Sequence, residues 1–248
     1  MRTEPVRPVD LRAAWDEESA AWIRWARTPG HDGYWRFGRA AFFELLPPPG
    51  RLTLDAGCGE GRVSRDLAVL GHRVISLDAS RKMVRAAMDA APEIPALVGN
   101  AAAIPLSAGA CDLVVAYMSL QDMEDLEPAV QEMARVLERG GRLCAGVVHP
   151  INSAGRFDSR EPDARFVIEG SYLEAHPYVD EVARDGLQMK FSSLHRPMAT
   201  YFAALEGAGL LVESVREVPV DAASAAADPA RHRWRRLPLF MYMRAVKA

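Results

Sequence analysis

Leu54-Asp55-Ala56-Gly57-Cys58-Gly59-Glu60-Gly61 sets three glycines at alternate positions, directly after a short apolar run and directly before an amphipathic one. Few features constrain a chain more. Glycine lets the backbone turn tightly and approach a ligand with no Cβ in the way. A strand that ends in such a turn and feeds a helix is the opening unit of a doubly wound α/β sheet, where ligands lie across the strand tips. The rest of the chain repeats that rhythm. Strands are read at 52–56, 73–78, 96–99, 112–117 and 142–148, with helices at about 61–70, after Ser80, and through Val130 to Leu137, the last stopped by Gly140-Gly141. Alternation of this kind gives right-handed βαβ units and a parallel sheet with helices on both faces. A near-continuous apolar strand such as Leu113 to Tyr117 fits, because a parallel sheet is buried on both sides.

Before this core, Asp10 caps a helix with Leu11, Trp15, Trp22, Trp25 and Ala26 on one face, ended by Thr28-Pro29-Gly30. A second helical stretch from Trp35 to Leu46 stops at Pro47-Pro48-Pro49. The expected organisation is therefore an N-terminal helical cap (1–49), a ligand-binding core (50–149), an inserted lid (150–194) and the remainder of the core sheet (195–248). The insert carries Phe166, Tyr172, Tyr178 and Phe191, and a connection this long inside a compact domain points to function. After it come a helix from Pro197, a strand at 210–218 and a last strand at 237–246.

Composition excludes several classes. With 30 Lys and Arg against 33 Asp and Glu, the net charge of −3 lacks the basic excess that phosphate neutralisation requires, so no nucleic-acid partner is expected. Arg231, Arg233, Arg235 and Arg236 are read as a solvated loop rather than an RNA contact. No apolar run approaches the roughly 20 residues of a membrane span, and MRTEPVRPVD has no secretory apolar region, so no membrane partner is expected. Cys58, Cys111 and Cys144 are far apart, which fits free thiols in a reducing cytoplasm. No histidines or cysteines have ligand spacing, so no metal is expected. Oligomeric state is open.

Asp78 closes the second strand, about twenty residues after the glycine turn, where a carboxylate can accept hydrogen bonds from both hydroxyls of a ribose. The ligand therefore carries adenosine. A dinucleotide fingerprint requires G-x-G-x-x-G, whereas this chain has G-x-G-x-G with Asp55 just ahead of it. A carboxylate there repels a pyrophosphate and suits a cationic amino group. An NAD-dependent oxidoreductase and a non-enzymatic cofactor-binding module are the two rival readings.

LDAGCGEG, ISLDAS, GNAAAIPLSAGACDLVVAYMSLQDMED and LERGGRL, in that order, resemble the class I S-adenosylmethionine-dependent methyltransferases, in the methyltransferase type 11 branch. The resemblance covers roughly residues 50–148 and, more loosely, 195–247. It implies a Rossmann-like, seven-stranded, mostly parallel sheet with the last strand antiparallel. It also implies transfer of a methyl group from S-adenosyl-L-methionine to a small organic acceptor, leaving S-adenosyl-L-homocysteine. On this resemblance Asp55, Gly57 and Gly59 hold the methionine half of the cofactor, Asp78 binds the ribose, and Ala79 and Met83 flank the adenine. Asn100 and Ala101 match a pair, usually Asp-Ala, that meets the adenine amino group, and Met118 and Ser119 line the transfer site. Tyr34 and Arg39 belong to the segment folding over the cofactor, with Arg39 set against its carboxylate. Relatives place histidines where this chain has Gln121 and Asp122. His149, at the end of the fifth strand, and His195, at the return from the insert, are the candidate general bases. His31, His72, His176 and His232 show no pairing.

Overall fold

The computed structural model describes residues 10–248. Residues 1–9, part of the expected helical cap, lie outside the described residues. Helix α1 (Leu11–Arg27) is capped by Asp10, whose carboxylate accepts from the Ala13 amide at 2.9 Å. A single wide turn, Tyr34–Gly38, runs into α2 (Arg39–Phe43). The core then alternates: β1 (Thr53–Ala56), α3 (Arg62–Val69), β2 (Val74–Asp78), α4 (Arg81–Ala90), β3 (Ala96–Val98), β4 (Cys111–Tyr117), α5 (Leu126–Val136) and β5 (Leu137–Val148). The segment that follows holds α6 (Pro150–Ser153) and two hairpins, β6 (Gly155–Phe157) with β7 (Phe166–Ile168) and β8 (His176–Arg184) with β9 (Leu187–His195). Helix α7 (Met198–Gly207), β10 (Leu210–Val218), α8 (Ala222–Ala227) and β11 (Phe240–Lys247) complete the chain.

Seven strands form the main sheet in the order β10-β11-β5-β4-β1-β2-β3. β1 runs parallel to both β2 and β4, and β11 is antiparallel to both β5 and β10. This is the Rossmann-like sheet the sequence pattern implies. Side chains of β4 alternate between two cores. Val114 and Ala116 pack with Val130, Met133, Tyr201 and Leu205 of α5 and α7, while Leu113, Val115 and Tyr117 pack with Phe42, Val63 and Leu67 of α2 and α3. Burial on both faces explains why these strands are apolar without interruption.

Two expectations move. Helix α5 ends at Val136, four residues before the Gly140-Gly141 stop, because Leu137 turns extended, pairs with Cys111 and is fully buried. Burial of an apolar side chain outweighs the weak preference of a helix to continue to the next glycine. The arginine-rich segment is solvated, with none of residues 229–235 buried, but it is a helical turn rather than a loop. Residues 229–235 form a tight helical turn on the β6–β7 hairpin, with Trp234 4.8 Å from Phe157 and the Arg233 and Arg236 guanidinium groups 5.5 and 5.6 Å from that same ring.

Candidate functional site

At the carboxyl edge of the sheet, the chain turns from β1 into α3 with positive φ at Gly57 (77°), Gly59 (54°) and Gly61. Gly57 is required twice over. Its backbone is left-handed, and an added Cβ would stand 2.4 Å from the Ser119 Cβ. The Gly57 and Cys58 amides both donate to the Leu77 carbonyl, so the loop is strapped across the end of β2. Asp78, at that end, accepts from the Gly59 amide on one carboxylate oxygen and from the Ser80 amide on the other, both at 2.8 Å. A carboxylate has about four lone-pair sites, so two remain for a ligand. Burial raises the Asp78 pKa above the ordinary carboxylate value, against the backbone N–H groups that hold its charge.

Asp55 is 1% exposed and accepts from Ser64 Oγ at 2.5 Å. Burial pushes its carboxyl up to about 7, with the nearby Asp78 charge adding to the shift and the Ser64 bond opposing it. Desolvation disfavours the charged form of an isolated acid. A cationic group placed beside Asp55 would reverse that penalty. Glu60, in the same loop, is fully buried and satisfied by Arg27 at 2.6 Å and Arg65 at 2.8 Å. Its pairing with Arg27 ties α1 down over the glycine turn, and Asp16 of α1 accepts from Ser80 Oγ at 2.7 Å on the other side.

Asp55, Gly57, Gly59, Asp78, Ala79, Met83, Asn100, Ala101, Met118, Ser119 and Tyr34 all line one cavity of about 730 Å³. That volume is within the range of small-molecule and cofactor sites. The far side of the same cavity is built by α1 and the β8–β9 hairpin. Tyr178, Asp180, Val182 and Arg184, every second residue of β8, face it, as do Phe191 and Ser193 of β9 and Trp15, Trp22 and Trp25 of α1. Phe191 meets all three tryptophans edge to face, with ring centroids 6.3, 6.1 and 5.8 Å away in that order. Trp15 Nε1 donates to the Ser192 carbonyl at 3.0 Å. Between the two halves, Gln121 and Asp122 follow β4, and Asp122 accepts from Ser193 Oγ at 2.6 Å. Burial lifts the Asp122 carboxyl to about 8, with Ser193 and Arg196 pulling the other way.

Residues 54–145 match the family model of the methyltransferase domain, type 11. The chain is 35% identical over 114 residues to the demethylmenaquinone methyltransferase of Beutenbergia cavernae, covering 46% of this chain and 47% of the relative. It is 30% identical over 160 residues to the malonyl-[acyl-carrier protein] O-methyltransferase of Enterobacter lignolyticus, covering 62% of this chain and 61% of that one. Residues 54–145 are a methyltransferase domain of the type 11 family. An S-adenosylmethionine-dependent methyltransferase from Mesorhizobium loti superposes with a TM-score of 0.72 at 24% identity, over 87% of this chain and 98% of that one. The [4+2]-cyclase SpnF superposes at 0.63 with 19% identity, over 98% of this chain and 97% of that one. These likenesses establish the fold of the methyltransferase domain and its surroundings; they do not select a reaction. The chain spans about half the length of the first curated relatives it matches.

The cavity brings the expected cofactor residues together with one exception. Arg39 points away from the cavity and pairs with Asp66 at 2.5 Å, an acid that also accepts from Tyr34 Oη. The guanidinium on the cavity wall is Arg62, buried, paired with Asp32 at 2.6 Å and set 4.3 Å from the Tyr34 ring centroid. Its position immediately after Gly61 is the signal that could have found it. Asn100 is exposed, and its Oδ1 already accepts from the Ala102 amide at 2.9 Å, which leaves one lone pair.

Both candidate bases lie elsewhere. His149 caps α6 through Nδ1, which accepts from the Ile151 amide at 3.1 Å, while Nε2 meets Glu217 at 2.9 Å. His195 is fully buried, its Nδ1 2.7 Å from Ser153 Oγ and its Nε2 2.9 Å from the Tyr172 carbonyl. Neither residue lines the cavity, and burial lowers the pKa of both. With both nitrogens occupied, each ring holds the junction of the insert with the sheet. Asp122, a departure from the family pattern in the sequence, is a titratable group that does line the cavity. Tyr178 and Asp180 belong to no motif; the signal that marks them is the alternation along β8, which puts them on one face of a strand.

Proposed function

We propose that this protein transfers a methyl group from S-adenosyl-L-methionine to a small organic acceptor enclosed between the sheet edge and the β8–β9 hairpin. One observation carries the reading. A buried carboxylate (Asp55) and a ribose-competent carboxylate (Asp78) end adjacent parallel strands on either side of a left-handed glycine turn, in one cavity. That arrangement suits an ammonium at one end of the ligand and a nucleoside at the other. The cofactor supplies an electrophilic methyl on a sulfonium. Asp55 and the glycine amides take its amino acid end, Asp78 its ribose, and Ala79, Met83, Asn100 and Ala101 surround its adenine. Arg62 replaces Arg39 as the guanidinium facing the carboxylate end. Met118 and Ser119 stand at the junction with the acceptor half.

The work left to the protein is alignment and exclusion of water. Positioning a nucleophile against an electrophile can lower a barrier by roughly 7–11 kcal/mol, more than the ~10²–10⁴-fold a general base supplies. Trp15, Trp22, Trp25 and Phe191 would exclude water, and residues 150–194 would act as the lid. The acceptors in the relatives' names, demethylmenaquinone and a malonyl group on acyl-carrier protein, are not carried over to this chain. No helix among the described residues is long and apolar enough to cross a membrane.

Calorimetry with S-adenosylhomocysteine and with NADH tests the reading. Binding of the first and not the second is expected, because a diphosphate would meet Asp55. Tight binding of NADH alone would overturn it. A sensor that binds S-adenosylmethionine without reacting would show no turnover on any acceptor.

A further inference from the structure

The acceptor half of the cavity has an excess of hydrogen-bond acceptors with nothing to accept from. Gln121 is 5% exposed and lines the cavity. Its Nε2 donates to the Met118 carbonyl at 2.7 Å, and since a carbonyl can only accept, the remaining amide atom is oxygen. That Oε1 is buried and has no partner among the described residues. Leaving such an atom unpaired costs roughly 1–3 kcal/mol, so a donor from the ligand would be favoured there. Asp180 faces the same cavity from the exposed edge of β8, where its carboxylate has no hydrogen-bonding or ion-pair partner among the described residues and is open to solvent. Asp122 uses one oxygen on Ser193, while the other has only a long 3.5 Å contact with Gln121.

Several donors near this wall are already committed. Ser193 donates to Asp122, and Arg184 donates to the His31 carbonyl at 2.9 Å beside Trp25. Arg196 lies behind Asp122 and is spent on the carbonyls of Leu120, Gln121, Met123 and Glu124. The charged and titratable groups that face Asp122 are thus Arg196, Asp78, Tyr178 and Tyr201. No group of three His, Cys, Asp or Glu among the described residues could hold a metal ion, so an inorganic cation is a poor occupant. Around these acceptors stand Trp15 and Phe191, together with Trp22 and Trp25, whose rings already hold the Arg62 and Arg184 guanidinium groups at 4.8 and 6.0 Å; aromatic ring faces attract organic cations.

We propose that this wall selects an organic amine, taken up as an ammonium by Asp122, Asp180 and the Gln121 Oε1 against the tryptophan and phenylalanine rings. The proposal rests on the preceding reading only for what lies in the other half of the cavity. An ammonium has no free lone pair, so it must lose a proton before it can act as a nucleophile. Asp122 receives it: one N–H bond breaks, one O–H bond forms, and ammonium plus carboxylate become amine plus carboxylic acid.

Two matched probe series decide the matter on the full chain at pH 8.5: tryptamine, tryptophol and 3-indolepropionate, and phenethylamine, 2-phenylethanol and hydrocinnamate. Calorimetry is run with and without S-adenosylhomocysteine. In at least one series the amine is expected to bind tenfold or more tighter than its alcohol, with no measurable binding of the carboxylate. Asp122→Asn and Asp180→Asn should each reduce that preference below threefold, with circular dichroism confirming the fold. Equal or tighter binding of an alcohol or carboxylate in both series overturns the proposal. So does absence of binding by all six, or an amine preference that survives both substitutions. If S-adenosylhomocysteine itself fails to bind, the methyltransferase reading falls, and the unloaded titrations still decide the amine preference.

Discussion

The two halves of the cavity are made in different ways. The half around Asp55 and Asp78 is assembled from residues close in sequence, on parallel strands whose tips are fixed by the sheet ladder, and its ligand groups are largely backbone amides and two carboxylates. The half around Asp122 and Phe191 joins α1, the turn after β4 and a hairpin from the insert, so its walls meet only because distant segments pack. The first half has one geometry that many ligands of a class can share. The second can change its lining without disturbing the sheet, and that is where the proposed acceptor would be chosen.

The largest effect is expected at Gly57. Gly57→Ala forces a left-handed alanine, at roughly 1–2 kcal/mol, and overpacks Ser119 by about another 1–3 kcal/mol. Thermal unfolding should show the loss, and an unchanged midpoint would mean that the loop relaxes freely. Asp78→Ala should weaken S-adenosylhomocysteine by about 1–3 kcal/mol, read by calorimetry. Unchanged affinity would remove Asp78 from the ribose site.

Asp55 gives a pH dependence whose sign is determined by its raised pKa. The ligand's ammonium favours the ionised carboxylate, so affinity should rise with pH until about 7 and then level off. Between pH 6 and pH 8 the gain is about tenfold, since each unit below the pKa is worth a factor of ten. Asp55→Asn should flatten the profile. In the unliganded protein the same shift acts on stability in the opposite sense. Unfolded, the carboxyl ionises near 3.9; folded, near 7. Across that window the folded state binds more protons, so its stability falls as pH rises.

Smaller effects should come from the acceptor half. Phe191→Ala should change S-adenosylhomocysteine affinity by less than threefold while making the β8–β9 hairpin more susceptible to proteolysis, because it removes the ring that meets three tryptophans. A large loss of affinity would show that the two halves are coupled. Least of all, His149→Ala and His195→Ala should each lower kcat by less than tenfold in folded protein, since neither side chain reaches the cavity. A larger drop in kcat at unchanged stability would restore one of them as a base.

Legibility followed the same division. The strands, the glycine turn, Asp78 and the caps at Asp10 and Ser80 could be read because each depends on a repeating period or on contacts within a few residues. Arg39 could not be placed, because whether a guanidinium faces the cavity or Asp66 depends on which way the wide turn at Tyr34–Gly38 rotates it. In sequence terms His149 stands at the expected carboxyl edge and His195 at the return from the insert. Their partners, Glu217, Ser153 and Tyr172, come from other segments, and those partners turn both rings away.

The amino-acid sequence by itself determined the parallel sheet and the carboxylates at its tips, since hydrophobic periodicity and glycine placement act over short stretches of chain. Only the tertiary structure decided which polar groups are left unpaired inside the cavity. A side chain's hydrogen-bond balance is settled by neighbours far away in the chain, 177 residues in the bond from Trp15 to Ser192.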